Sequence, residues 1–192
     1  MLFRSTGADG MPVNPVSVDR LLIGNGETYD IIVNIPLNGK YQLQAIAQDG
    51  SGSASVYLGR GELMPVPRIP SPDLYSMEWM TAGLNPDDPD EPELARPLPP
   101  YAKLKARVPT KLPANAPVRE MELRLTGNMV RYVWSFNGKT VKDDSTIRVK
   151  RGEVLRLNFI NDTMMHHPLH LHGHFFRLLN GQGDFEIGRA HV

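Results

Sequence analysis

Glu120-Met-Glu-Leu-Arg-Leu-Thr126 decides the fold. Met121, Leu123 and Leu125 alternate with Glu120, Glu122, Arg124 and Thr126. Alternation at every second residue gives an extended chain one apolar and one polar face, the mark of a half-buried strand. Downstream the pattern repeats. Tyr132, Trp134 and Phe136 share one face, with Arg131, Ser135 and Asn137 on the other, and Asn137-Gly138 is a hairpin turn signal. Ile147 and Val149 follow, then a turn at Arg151-Gly152. Leu155, Leu157 and Phe159 alternate with Arg156 and Asn158, Asn161-Asp162-Thr163 is a turn cluster, and His170 to Leu179 is predicted as a further strand ending at Asn180-Gly181. Residues 118–186 thus read as the opening half of a Greek-key sandwich.

Upstream, Val13 to Leu58 is β again. Tyr29, Ile31, Val33 and Ile35 alternate with Thr28, Asp30, Ile32 and Asn34; Tyr41, Leu43, Ala45 and Ala47 alternate with Gln42, Gln44, Ile46 and Gln48. Asn38-Gly39 between these runs predicts a hairpin, and the Asp49-Gly50-Ser51-Gly52 turn leads into a strand over Ser53 to Leu58. Roughly four short strands do not close a sandwich, which takes about seven. Residues 6–58 are therefore expected to be the closing part of a β-domain. Between the two β segments, 59–117 holds 13 of the 17 prolines and an acidic run at Asp87, Asp88, Asp90, Glu91 and Glu93. Proline removes backbone donors and breaks regular elements, so this tract is expected to be a linker or an extended surface segment. Within it, Met77, Trp79 and Met80 are placed to form a short helical turn or to lie against a neighbouring domain.

Both ends are expected to be foreign to the fold. Ile187-Gly-Arg-Ala-His-Val192 is what one frame of a common sequencing adapter encodes, and Met1-Leu-Phe-Arg-Ser5 matches the opposite strand after a GTG start. On that reading residues 1–5 and 187–192 are adapter-derived, and His191 is not a ligand. The 192 residues are 41% hydrophobic with zero formal net charge, so nothing steers the chain toward nucleic acid or an acidic membrane. No apolar run approaches the ~20 residues that span a bilayer. With no cysteine, disulfides, thiolate metal sites and Cys nucleophiles are excluded within the chain.

The chemistry is concentrated at His166, His167, His170, His172 and His174, five of the six histidines in nine residues. Neutral imidazole is a ligand for copper, zinc, iron and nickel. On a strand, His170 and His172 face the same way about 6–7 Å apart, which suits two neighbouring ions or one ion at a bend. His167 points to the other side, with Pro168 fixing the backbone between. Met164 and Met165 offer thioethers, although packing is their expected role.

His167-Pro-Leu-His170-Leu-His172-Gly-His174 resembles the third-domain copper motif of multicopper oxidases. Leu125-Thr-Gly-Asn-Met129, Trp134-Ser-Phe-Asn-Gly138, Arg151-Gly-Glu-Val154 and Asn161-Asp-Thr-Met-Met165 are similar to the bacterial copper-resistance, laccase-like branch, and Glu27-Thr-Tyr-Asp30 to the close of its second domain. The resemblance implies an all-β, cupredoxin-like Greek-key sandwich fold, in two incomplete domains joined by the Pro-rich linker. It implies that His167 belongs to a type 1 copper, His170 to the type 2 copper and His172 to a type 3 copper; no catalytic residue stands apart from these ligands. His166 and His174 match no ligand of the family. The implied partners are O2, a small reductant (a phenol or Cu(I)) and missing parts of the same parent chain. The implied location is the periplasm, and the implied role is copper resistance. The family's first-domain HxH motifs and its closing motif with the type 1 cysteine have no counterpart here, so the chain by itself is expected to be catalytically incomplete. Two other readings compete: a non-enzymatic cupredoxin-like module that buffers copper, and a zinc hydrolase. The second is weakened by the lack of an acidic general base beside the histidines.

Overall fold

In a computed structural model of the chain the described residues are 3–68, 100–128, 130–143, 146–163 and 165–190. The acidic run, Met77, Trp79, Met80, Met164 and His191 lie outside them. Apart from two 3-10 turns, η1 (Pro100–Lys103) and η2 (Gly183–Phe185), the regular elements are strands, so the fold is all-β as expected. The chain divides into two compact units, Met1–Thr110 with His170–Val192, and Lys111–Leu169.

The first unit opens on a hairpin of β1 (Phe3–Ala8) and β2 (Met11–Val18), turned at Asp9-Gly10, both at positive φ (47° and 74°). A two-residue turn with both φ positive matches the right-handed twist of the strands it joins. β3 (Tyr29–Val33) pairs with the other edge of β1, giving the order β2-β1-β3. A second sheet has the order β5-β4-β6, from β4 (Lys40–Ile46), β5 (Ser53–Gly59) and β6 (Leu63–Met64), the last running parallel to β4. β10 (Phe175–Leu178) and β11 (Ile187–Ala190) form a two-stranded antiparallel pair. Ala8, Val13, Leu104 and Ile187 make the buried cluster, with Val16, Tyr29, Tyr101 and Leu178 packed against it. Phe3 and Ile187, from the two ends set aside on sequence grounds, are thus built into sheets and buried.

The second unit is one sheet, β8-β7-β9. β7 (Val118–Asn128) is central, antiparallel to β8 (Val133–Phe136) and parallel to β9 (Val154–Asn161). Leu123 and Leu125 are its buried side chains, on the face that the alternation of Glu120–Thr126 assigns to the interior. Asn137-Gly138 forms the predicted two-residue turn, with φ of 50° and 75° and reciprocal hydrogen bonds between Phe136 and Lys139 (3.0 and 2.9 Å).

Three expectations are corrected. Asn38-Gly39 is not a hairpin turn: β3 pairs with β1, β4 pairs with β5 and β6, and the chain crosses from one sheet to another there. The segment 100–110 is not a surface linker. Leu104 and Ala106 are buried, Val13 bridges Ala106, and the Asn14 amide donates to Lys105 O (2.8 Å). Finally, the strand expected over His170 to Leu179 is confined to Phe175–Leu178. Pro168 removes a ladder donor and Gly173, at φ 79°, turns the chain, so the histidines precede the strand on irregular backbone.

Candidate metal centre

The second unit holds His167, half-buried on the loop that leaves β9. The loop is fixed from β7. Arg124 points away from Leu123 and Leu125 and grips Asp162 with two hydrogen bonds, Nε to Oδ2 at 2.7 Å and Nη2 to Oδ1 at 2.8 Å. A bidentate pair of this kind sets orientation as well as proximity. The Asp162 carboxylate, with Glu122, holds the Arg124 guanidinium even more firmly protonated than usual. The Asp162 amide donates to Leu125 O (3.0 Å), and Asn137 of the turn docks on the same strand, its Oδ1 accepting from the Arg124 amide (2.7 Å).

His167 itself is held by two neighbours. Its Nε2 lies 2.6 Å from Thr163 Oγ1. The Trp134 indole meets its ring edge-on, centroids 5.2 Å apart and planes at 68°. Trp134 in turn lies on Gly127, across the β7–β8 pairing; a Cβ at Gly127 would overlap the indole. The absence of a side chain at Gly127 is thus what seats the indole beside the imidazole.

His170 and His172 belong to the first unit, and both are exposed. Their rings are brought together, centroids 4.4 Å apart and planes at 79°. Behind His170 lies Gly26, at φ 77°, where a Cβ would fall 2.6 Å from His170 Cε1. The Gly24–Glu27 turn is braced by the Glu27 carboxylate, which accepts from the Gly24 amide (2.9 Å) and from the hydroxyls of Tyr29 (3.5 Å) and Tyr101. Gly26, Glu27 and Tyr101 were not singled out as site residues from sequence. The signals were a Gly-Asn-Gly cluster followed by a carboxylate, with nothing local to tie them to a histidine some 140 positions on. His166 and His174 are exposed.

Imidazole donors fit copper's ligand preferences, and the paired rings of His170 and His172 offer two such donors side by side. Among the described residues no three His, Cys, Asp or Glu side chains are grouped so as to hold a metal ion. Among the described residues no helix is long and apolar enough to cross a membrane.

An all-β chain with a run of histidines where an irregular loop enters a strand has the fold class and the donor type of a β-sandwich copper protein. Models of the family described as multicopper oxidase match residues 115–190 and 6–58. The chain belongs to the multicopper oxidase family, whose cofactor is copper, and its fold class is the cupredoxin-like sandwich of that family. It is 32% identical to multicopper oxidase MmcO of Mycobacterium tuberculosis, over 93% of this chain and 32% of that protein. It is 45% identical to copper resistance protein A of Escherichia coli over 48% of this chain and 15% of that protein. A copper resistance protein A homolog of Pseudomonas syringae is 28% identical over 96% of this chain and 43% of its own length. The chain therefore spans less than half the length of each of these relatives. No solved structure matches it.

Proposed function

We propose that this chain is part of a longer copper-dependent oxidase that couples one-electron oxidation of a phenol or Cu(I) to four-electron reduction of O2 to water, in copper tolerance in the periplasm. Residues 6–58 are the close of a second cupredoxin domain, 59–117 the connection and 118–186 the start of the third. His167 serves the type 1 centre, His170 the type 2 and His172 a type 3. The carrying observation is the His167-Pro-Leu-His170-Leu-His172-Gly-His174 run, which lies inside the stretch matched at 115–190. The names of the relatives support a role in copper resistance.

When bound, copper supplies reversible one-electron transfer at a single centre and a cluster at which O2 takes up four electrons and four protons. The chain's own residues hold and orient. Thr163 and Trp134 fix the His167 ring, and Gly26 backs the His170 ring. The remaining ligands, among them a cysteine thiolate, come from sequence outside these 192 residues, which contain none. The open sheet of the second unit fits this reading. Trp134, Phe136 and Phe159 are 39%, 42% and 47% exposed, apolar area that the facing sheet of a sandwich covers.

The test is the complete gene product loaded with copper. His167→Ala should abolish the intense blue absorption and with it phenol-driven O2 uptake. His170→Ala and His172→Ala should keep the blue band and lose O2 uptake by at least about a hundredfold, the scale of ~3 kcal/mol. A blue band unaffected by His167→Ala overturns the assignment. The adjacent, exposed imidazoles of His170 and His172 support one second reading, a copper-buffering module without turnover. A complete protein that binds copper stoichiometrically and consumes no O2 would establish it.

A further inference from the structure

The hydrogen bonds around Thr163 fix more than the position of His167. Asn161 faces the loop with its amide orientation determined from both ends. Its Nδ2 donates to Met165 O (2.7 Å), and its Oδ1 accepts from the Thr163 amide (3.0 Å). Turning the amide over would set oxygen against oxygen and N–H against N–H, so Oδ1 is the atom on the Thr163 side. That oxygen also lies 2.8 Å from Thr163 Oγ1. Two oxygens at this distance need a proton between them, and Asn161 Oδ1 has none. The proton is the Thr163 hydroxyl's.

A hydroxyl has one proton to give. Met165 N–H already donates to Thr163 Oγ1 (3.1 Å), so that oxygen is an acceptor there too. The other carbonyl in reach, Met165 O at 3.4 Å, competes only for the same hydroxyl proton. Whichever oxygen takes it, nothing is left to donate to the imidazole. The 2.6 Å contact with His167 Nε2 is then made by the ring's own N–H. In the neutral ring the second nitrogen, Nδ1, keeps its lone pair.

We propose that Asn161 and Thr163 are positioning residues that hold His167 as the Nε2–H tautomer, so that Nδ1 is the nitrogen presented to a metal. Trp134 restricts rotation of the same ring from its edge. Asn161 sets Thr163, Thr163 sets the tautomer, and the ring reaches a metal centre with its proton already committed away from it. Such outer hydrogen bonds govern ligand orientation and basicity. The metal role rests on the copper reading above, while the tautomer does not require it.

Nitrogen-15 NMR of the metal-free 192-residue chain tests this, at a pH where the rings are neutral, with His167→Gln assigning the signals. The exposed His172 and His174 are internal references. We expect His167 to show the fixed Nε2–H pattern, with the Nε2 proton exchanging roughly five- to tenfold more slowly than on the references, the scale of one hydrogen bond. Thr163→Ser should retain both features. Thr163→Val should lose the slow exchange, and Asn161→Ala, which leaves only Met165 O at 3.4 Å to compete with Nε2 for the hydroxyl proton, should introduce a share of the Nδ1–H form. An Nδ1–H pattern in the unsubstituted chain, or a tautomer mixture matching the references, overturns the proposal even if no variant folds. If the pattern is as expected but His167→Ala leaves the blue band of the complete oxidase intact, the copper assignment fails and the relay stands.

Discussion

At the scale of single residues, the candidate ligands are placed by glycines as much as by polar partners. Gly127 lets the Trp134 indole settle on β7, from where it reaches His167. Gly127→Ala forces the indole off its seat and is expected to destabilise the second unit by about 1–3 kcal/mol, the usual cost of overpacking. Trp134 emission in a Trp79→Phe background reports the displacement directly, because the chain has only two tryptophans. An unchanged spectrum would show that the contact is not made. Gly26 works differently. Its φ of 77° costs an L-residue about 1–2 kcal/mol, and the added methyl would also meet the His170 ring. Gly26→Ala should therefore lower stability and shift the His170 ring signals. Gly138→Ala, at φ 75° with nothing within 4 Å, should lower stability alone and serves as its control.

At the scale of elements, β7 carries the second unit, and its parallel partner β9 is pinned to it by charge. Arg119 Nε donates to Glu153 Oε1 (2.5 Å), and the Lys150 amide donates to the same carboxylate (3.1 Å). The Arg119 hydrogen bond, then the Lys150 amide, holds the Glu153 carboxyl below its ordinary 4.5. A lowered folded-state value means a stabilising contribution fully present above pH 4.5 and lost as pH falls through the folded value. The Glu153 contribution to the thermal midpoint should thus be constant from neutral down to about that pH and fall below it, and Glu153→Gln should remove that part of the acid slope. Asp49 and Asp143, lowered by hydrogen bonds from Ser51 and Thr140, titrate in the same direction, so part of the slope should remain. The elements also show what a local pattern encodes. The Glu120–Thr126 alternation, the Asn137-Gly138 turn and the β4–β5 hairpin are decided by neighbours along the chain, and all were legible. Asn38-Gly39 misled because a turn signal reports a change of direction and not which strands pair. Lys103, Lys105 and Arg107 alternate with the buried Leu104 and Ala106, a period-two signal obscured by the surrounding prolines. His170 and His172 were expected on one side of a strand. Their rings do lie close together, but on irregular backbone that Pro168 and Gly173 impose.

At the scale of the whole molecule, the question is what these residues can do with copper unaided. An intense blue centre requires a thiolate, two imidazoles and a weak axial ligand, and the chain has no cysteine at all. Among its described residues no third ligand converges on a pair such as His170 and His172. Copper held by imidazole alone absorbs weakly in the visible, and a pair of histidines does not assemble the four-electron site that O2 reduction needs. Cu(II) titrated into the 192-residue chain is therefore expected to give only weak absorption, and phenol with O2 no uptake above buffer. Binding should weaken in a His170→Ala, His172→Ala double variant if the adjacent rings share an ion. A strong thiolate-like band near the visible red, or sustained O2 uptake, would show that the chain completes a centre by a route its residue types do not provide. The opposite result is what an incomplete centre requires. On the proposed assignment, His167 in one compact unit and His170 and His172 in the other, in a chain without cysteine, are parts of centres completed by other donors.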